Sequence, residues 1–284
     1  MASLLDIRRR IRSVKNTQQL TKAMKTVSAA KLRRAQERVF SARPYANQLR
    51  KVLADLAASI ENVTHPLLET RTEERILLVV MSGDRGLCGA FNSNLLKAAQ
   101  NFLHEHPSQS NGLYAVGKKG RDFFRRREAN IVSDYVNFFS KLDLGHARDV
   151  SQKIVELYTE AQVDAVYMVY NEFKSVIQQR VVLEKLLPLG RVELQESESR
   201  IDYIYEQPPQ EIFNRLLPRY VEIEVYRALL ESAASEHGAR MAAMDTATRN
   251  AGEMIESLTL GMNRVRQAAI TREIIEVVSG AGAL

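Results

Sequence analysis

A single cysteine, Cys88, stands in the whole chain, so neither an internal disulfide nor a cysteine-built metal cage can form. Tryptophan is absent and aromatic residues are few, which leaves little on which bases could stack. No stretch approaches the ~20 unbroken apolar residues that a membrane span needs. Beyond Pro218 there is no proline at all, so nothing there breaks a helical pattern. The residues from Met1 to Arg12 turn basic before any long apolar core develops, and a cleaved secretory signal is therefore not expected. A cytosolic environment fits these absences.

The charge that is present is unevenly placed. The chain of 284 residues carries a formal net charge of +6. Residues 1–60 hold fourteen Lys/Arg against three Asp/Glu, a balance of +11, so the remainder is slightly acidic. A basic arm implies an acidic partner: nucleic acid, anionic lipid or an acidic protein surface. The cations fall in two groups, Arg8-Arg9-Arg10 with Arg12, and Lys31, Arg33, Arg34 and Arg38. They wind around the helix and do not form one stripe. Phe40 and Tyr45 are the only aromatics in this arm, which disfavours binding to single-stranded nucleic acid.

The two ends of the chain read alike. Leu4, Ile7, Ile11 and Val14, followed by Gln18 and Thr21, recur in 3-4-3-4-3 steps, a heptad seam. Ser3 reads as an N-cap, with Asp6 serving the first turn. The stripe is expected to move one position over to Leu20, Met24 and Val27, followed by Leu32. Pro44 is expected to kink or interrupt the helix. The pattern resumes through Leu49, Val52, Leu53, Leu56 and Ile60 and ends at Thr64-His65-Pro66.

At the other end, Pro208-Pro209 introduces a short helical turn, and Pro218 suits the first position of a new helix. From there Tyr226, Leu230, Ala233, His237, Met241, Met244, Thr248, Ala251, Ile255, Leu258, Met262, Val265 and Ala269 form one row, with a stutter across His237. Ile274, Val277 and Val278 extend it; Gly280, Gly282 and Ala283 mark where it should fray. Such a helix cannot bury its stripe on a small domain alone. The two ends can bury theirs against each other, running antiparallel if the middle lies at one end. The small residues Ala233, Ala251 and Ala269 permit close approach.

The middle reads as α/β. Ile76 to Met81 is a continuous apolar run, as in a strand covered on both faces. Further strands are expected at Leu113–Val116, Ala165–Tyr170 and Val176–Leu183, and helices at Asn92–Leu103 and Arg148–Ala161. Alternating strands and helices imply a parallel sheet. Residues 61–74 and 190–210 read as linkers. The fold class is thus α/β with long helices: an antiparallel coiled coil of terminal helices plus a central Rossmann-like domain. Its parts are 1–60 (coiled-coil helix), 75–190 (α/β domain) and 211–284 (coiled-coil helix).

Three local features invite chemistry. The turn Gly83 to Gly89 follows a strand and precedes a helix, but its spacing is G-x-x-G-x-x-G. It has neither the dinucleotide fingerprint nor the Gly-Lys-Ser/Thr of a P-loop, so it reads as a tight structural turn and no cofactor is expected. His104 and His106 near Pro107 read as an exposed loop, and no histidine set has metal spacing. His237 reads as a packed polar residue of the seam. Cys88 reads as a buried structural thiol.

Three segments resemble one family. The run from Ile7 to Thr17, continuing through Thr21-Lys22-Ala23-Met24-Lys25, resembles the opening helix of the γ subunit of F-type ATP synthase. Asp84 to Asn92 is similar to that family's turn after the first central strand. Arg264 to Ala281 is similar to its C-terminal hallmark. The resemblance, of bacterial type, covers essentially the whole chain.

It implies a central rotor shaft, present once per complex, whose paired terminal helices pass through a ring of three α and three β subunits. The α/β domain would stand on the membrane c-ring and hold the ε subunit. Ion-driven rotation, by protons or sodium, would cycle the catalytic β subunits through ATP synthesis or hydrolysis, with no catalytic residue, metal or cofactor in this chain and no nucleic acid partner. The resemblance implies ring contacts at Arg240, Arg266, Gln267 and Thr271, with Glu273 and Glu276 near the upper bearing. Met24 and Lys25 would lie near the lower rim of β, and the basic arm would face acidic loops there. The implied location is peripheral, at the cytoplasmic face of the bacterial plasma membrane. Two departures stand out: Gly83 replaces the family's usual small hydroxyl residue, and Asp245 and Arg249 reverse the charges expected on their turn. With Cys88 alone, the inserted cysteine pair of chloroplast members is excluded.

Overall fold

The computed structural model describes residues 4–59, 65–107, 110–176, 178–189 and 207–281. The expected N-cap Ser3, the helix end at Thr64, most of the linker 190–210, and Gly282 and Ala283 lie outside them. The chain divides into two compact units, Ala29–Ala239 and Met1–Ser28 with Arg240–Leu284. Two long helices, α1 (Leu4–Ser59) and α5 (Pro209–Ala281), contribute to both.

The unit Ala29–Ala239 is built on a sheet of five strands: β1 (Arg75–Met81), β2 (Ser110–Val116), β3 (Ile131–Tyr135), β4 (Ala165–Phe173) and β5 (Gln179–Leu187). Their order is β3-β2-β1-β4-β5. The first four are parallel, with Leu78 level with Leu113 on one side and Tyr167 on the other. Strand β5 runs antiparallel to β4, which corrects the expectation of a wholly parallel sheet. Only residues 174–178 separate the two strands, too few for a crossover but enough for a hairpin. Three helices complete the head: α2 (Phe91–Glu105), α3 (Lys118–Arg125) and α4 (Leu144–Thr159).

Every residue from Ile76 to Met81 is fully buried, because helices cover both faces of the central strand. On one face Ile76, Leu78 and Val80 pack with Leu95, Ala99 and Phe102 of α2 and Phe124 of α3. Each such buried aliphatic side chain contributes roughly 2 kcal/mol. Helix α4 buries Val150, Ile154, Leu157 and Tyr158. It starts four residues earlier than expected, where Asp143 and His146 form a reciprocal capping box. The Tyr158 hydroxyl donates to Glu69 O at 2.6 Å, and burial pushes its pKa up to about 12. A 3-10 turn, Pro66–Leu68, lies within the expected linker 61–74, capped by the His65 ring.

In the other unit the two helices form an antiparallel hairpin. The Thr21 and Thr248 hydroxyls meet at 2.8 Å, and Gln18 Nε2 donates to Thr248 O at 3.4 Å. Lys25 donates to Asp245 at 2.6 Å, and Gly252 lies against Gln18. The heptad seam is observed; its most buried members are Ile7, Thr21 and Ser28 on α1 and Met244 and Ala251 on α5. The expected shift to Leu20 and Val27 is not: they are 61% and 56% exposed. The seam keeps strict register through small hydroxyl residues, which bond across the hairpin or back to their own helix.

Neither internal proline breaks its helix. Helix α1 continues through Pro44 and α5 through Pro218, so Pro44 does not interrupt its helix and Pro218 does not start a new one; α5 begins at Pro209. A proline removes one hydrogen bond at a cost of about 3 kcal/mol. Around Pro44, burial of Val39, Ala46, Leu49 and Leu53 offsets that cost; around Pro218, burial of Phe213, Leu217 and Val221 does so.

Candidate functional site

The crevice beyond the C-terminal ends of β1 and β4 is where strand order reverses, the usual ligand position in an open α/β sheet. Here the chain's own α5 fills it. Ser232 Oγ donates to Met81 O and accepts from the Asn171 amide, at 3.4 and 3.3 Å. Ser235 Oγ donates to Asn171 O at 3.0 Å, and Glu231 accepts from the Phe173 amide at 3.0 Å. All three α5 side chains are buried.

The glycine turn is committed in the same way. The Asp84 carboxylate accepts from the backbone amides of Lys118, Asn137 and Phe139. Ser82 Oγ accepts from the Gly120 amide at 2.7 Å, and Asn92 Oδ1 accepts from that of Gly83 at 3.0 Å. Through Asp84, Ser82 and Asn92 the turn ties together the backbone that follows β1, β2 and β3 and so braces the strand ends. Gly83 lies so close to α5 that a Cβ there would sit 3.0 Å from the Glu236 carboxyl carbon. That contact is the physical reason a glycine suits this position. Cys88 is buried, its thiol accepting from Asn92 Nδ2 at 3.2 Å. His104 and His106 each bond the carbonyl one helical turn back. His104 lies within α2 and His106 at its C-cap, not on the loop expected from sequence.

The ring-contact residues expected from the resemblance fall on the hairpin unit. Met24 and Lys25 are half-buried on α1. Arg240 is buried and engaged within the chain. Arg266, Gln267, Thr271, Glu273 and Glu276 are all exposed on α5. The hairpin's register, carried along the helices, brings Leu4 level with about Arg266. The last turns of α5 therefore run past the start of α1. There Ile270, Ile274, Ile275, Val277 and Val278 are exposed, Val277 to 71%. Apolar residues clustered in this way mark a protein-binding surface. The charge reversal at Asp245 has a partner that sequence did not supply: Lys25, across the hairpin, as well as Arg249 at i+4.

Sequence reading missed the buried polar set Glu231, Ser232 and Ser235 with Arg43. Its signal was there: polar residues interrupting the apolar face of α5 beside Ala233 and Ala234. Among the described residues no His/Cys/Asp/Glu group could hold a metal, and no helix is long and apolar enough to cross a membrane.

The fold defines a class of protein: an α/β head whose ligand crevice is closed by its own long helix, and an antiparallel helical hairpin with an exposed apolar end. Comparison with known proteins makes this specific. The ATP synthase family model matches residues 3–284. The chain is 57% identical to the ATP synthase gamma chain of Solibacter usitatus, over 100% of this chain and 99% of that one. It is 48% identical to that of Pelotomaculum thermopropionicum over the full length of both. Among solved structures, it is similar to a chain of the central stalk and c-ring of Tetrahymena thermophila mitochondrial ATP synthase. That match has 29% identity and a TM-score of 0.64, covering 80% of this chain and 99% of that one. A chain of the Euglena gracilis mitochondrial enzyme shares the fold at 19% identity and a TM-score of 0.69, covering 99% and 94%. The chain belongs to the ATP synthase family, among its gamma chains.

Proposed function

We propose that the chain is the central rotor shaft of a bacterial ATP synthase, present once per complex and itself non-catalytic. Its hairpin turns inside a ring of three α and three β subunits, while the head rests on the membrane c-ring and holds ε. Flow of protons or sodium ions turns the c-ring. The shaft, lacking three-fold symmetry, presents a different side to each β subunit and biases it towards a different conformation. The nucleotide chemistry belongs to β. No nucleic acid is involved, and attachment to the cytoplasmic face of the plasma membrane is peripheral.

One observation supports this reading above others: the exposed apolar end of α5, flanked by Arg266, Gln267, Thr271, Glu273 and Glu276. A helix left this apolar in water needs a protein sleeve. Arg240 is a further ring contact, Met24 and Lys25 lie near the lower rim of β, and the basic arm faces acidic loops of β.

The test is a chain ending after Val265, assembled with the other subunits. Ion-driven ATP synthesis falls severalfold while the head keeps its thermal midpoint. An α–β mixture that never binds the chain, and hydrolyses ATP equally well without it, refutes the reading.

A further inference from the structure

We propose that Glu231 is a positioning residue through which turning force passes between the sheet and the long helices; this rests on the rotor reading above. Strand β4 outruns its neighbour: the β1–β4 register ends at Val80 level with Val169, while β4 continues to Phe173. On the edge so exposed, the amides of Asn171 and Phe173 and the carbonyl of Asn171 have no strand to pair with. Buried backbone groups of this kind require partners. Helix α5 supplies them from three side chains, Ser232, Glu231 and Ser235. The helix thus continues the ladder where β1 stops.

Glu231 does more than cap a strand. Its Oε2 accepts from the Phe173 amide at 3.0 Å, while its Oε1 accepts from Arg43 of α1, from Nε at 3.0 Å and from a terminal guanidinium nitrogen at 2.7 Å. One carboxylate therefore joins β4, α1 and α5. Its side chain is 3% exposed, so water competes little for these bonds. Apolar side chains packed along a helix resist separation but allow rolling. Charge-assisted bonds with fixed directions, set to the side of the helix axis, oppose rotation about that axis. The helix backbone at Gly238 lies within ordinary contact range of the strand end: a Cβ there would touch the Phe173 ring at 3.4 Å.

The experiment uses the whole assembled enzyme in inverted membrane vesicles. ATP hydrolysis and ATP-driven uptake of the coupling ion, protons by a pH-sensitive dye or sodium by radiotracer, are measured at equal amounts of assembled complex. Glu231→Gln keeps an acceptor for the Phe173 amide but loses the charge that grips Arg43. Its hydrolysis stays within about twofold of the parent while ion uptake per ATP falls at least threefold. Uptake and hydrolysis that keep their parental ratio overturn the proposal. If Glu231→Gln does not assemble, Arg43→Lys decides: it keeps the charge and loses the two-nitrogen grip. A ratio lowered about twofold supports the proposal, and an unchanged ratio overturns it. Failure of the rotor reading looks different: vesicles without the chain would then pump as well as those with it.

Discussion

The Nζ of Lys25 on α1 lies 2.6 Å from Oδ1 of Asp245 on α5, with both side chains about half exposed. The bond and the charge of Lys25, with a smaller contribution from Arg249, hold the Asp245 carboxyl below the usual carboxylate range. A folded-state pKa that is depressed stabilises fully above the unfolded value and is lost as pH falls through the folded one. The pair is exposed, so its contribution is small and screened by salt. Asp245→Asn therefore lowers the thermal midpoint slightly at neutral pH and low salt. The difference from the parent shrinks as pH falls below the usual carboxylate range and through the lowered folded-state pKa. A difference that persists unchanged at pH 2 counts against this account of the pair.

In the head, Asp164 accepts from the Arg75 amide at 2.9 Å and from its guanidinium at 3.1 and 2.6 Å. The Arg75 side chain holds this carboxyl below its usual range. The side chain of Asp164 is buried whereas that of Arg75 is half exposed, so substitution leaves an arginine that water can reach. Asp164→Ala destabilises the head by about 2 kcal/mol at neutral pH. Denaturant unfolding followed by circular dichroism measures it. The penalty shrinks as pH falls through the folded-state pKa, because the parent loses the same bonds on protonation.

Gly117 adopts φ +99°, and a Cβ there would meet Ser82 O at 1.9 Å. Both conformation and space demand glycine. Gly117→Ala costs on the order of 3 kcal/mol or more, read as a large fall in the urea midpoint. Gly86, where a Cβ comes only within 3.8 Å of Lys119 Cε, tolerates alanine.

The crevice at the strand ends is filled by Ser232, Ser235 and Glu236. Calorimetric titration of the isolated chain with ATP or NAD accordingly gives no saturable heat up to ~1 mM, about −4 kcal/mol of binding free energy. Saturation at micromolar nucleotide would mean the glycine turn opens in solution.

What sequence made legible follows from how strongly each element is patterned. The apolar run Ile76–Met81 and the rows through Val14 and Met244 identify the central strand and the hairpin, because burial there demands unbroken periodicity. Strand β3 was invisible: at the sheet edge, Ile131–Tyr135 buries no residue fully. Helix α3 was hidden by its brevity and by Gly120, which is needed because a Cβ would meet Ser82 Oγ at 2.8 Å. Leu20 and Val27 misled because apolar residues facing outward from the hairpin resemble a seam, while the true seam passes through Thr21 and Ser28. Position in a motif pointed to Lys25 and Arg266, but Glu231 needed coordinates: its partners lie 188 and 58 residues away in sequence.

Rotation of the shaft is the central claim, and direct observation tests it. A bead is attached to an exposed residue of the head, in a complex whose α and β subunits are fixed to glass, and ATP is added. The bead is expected to turn continuously in one direction with three resting positions per revolution. A bead that stays fixed while the same complexes hydrolyse ATP at full rate contradicts the account.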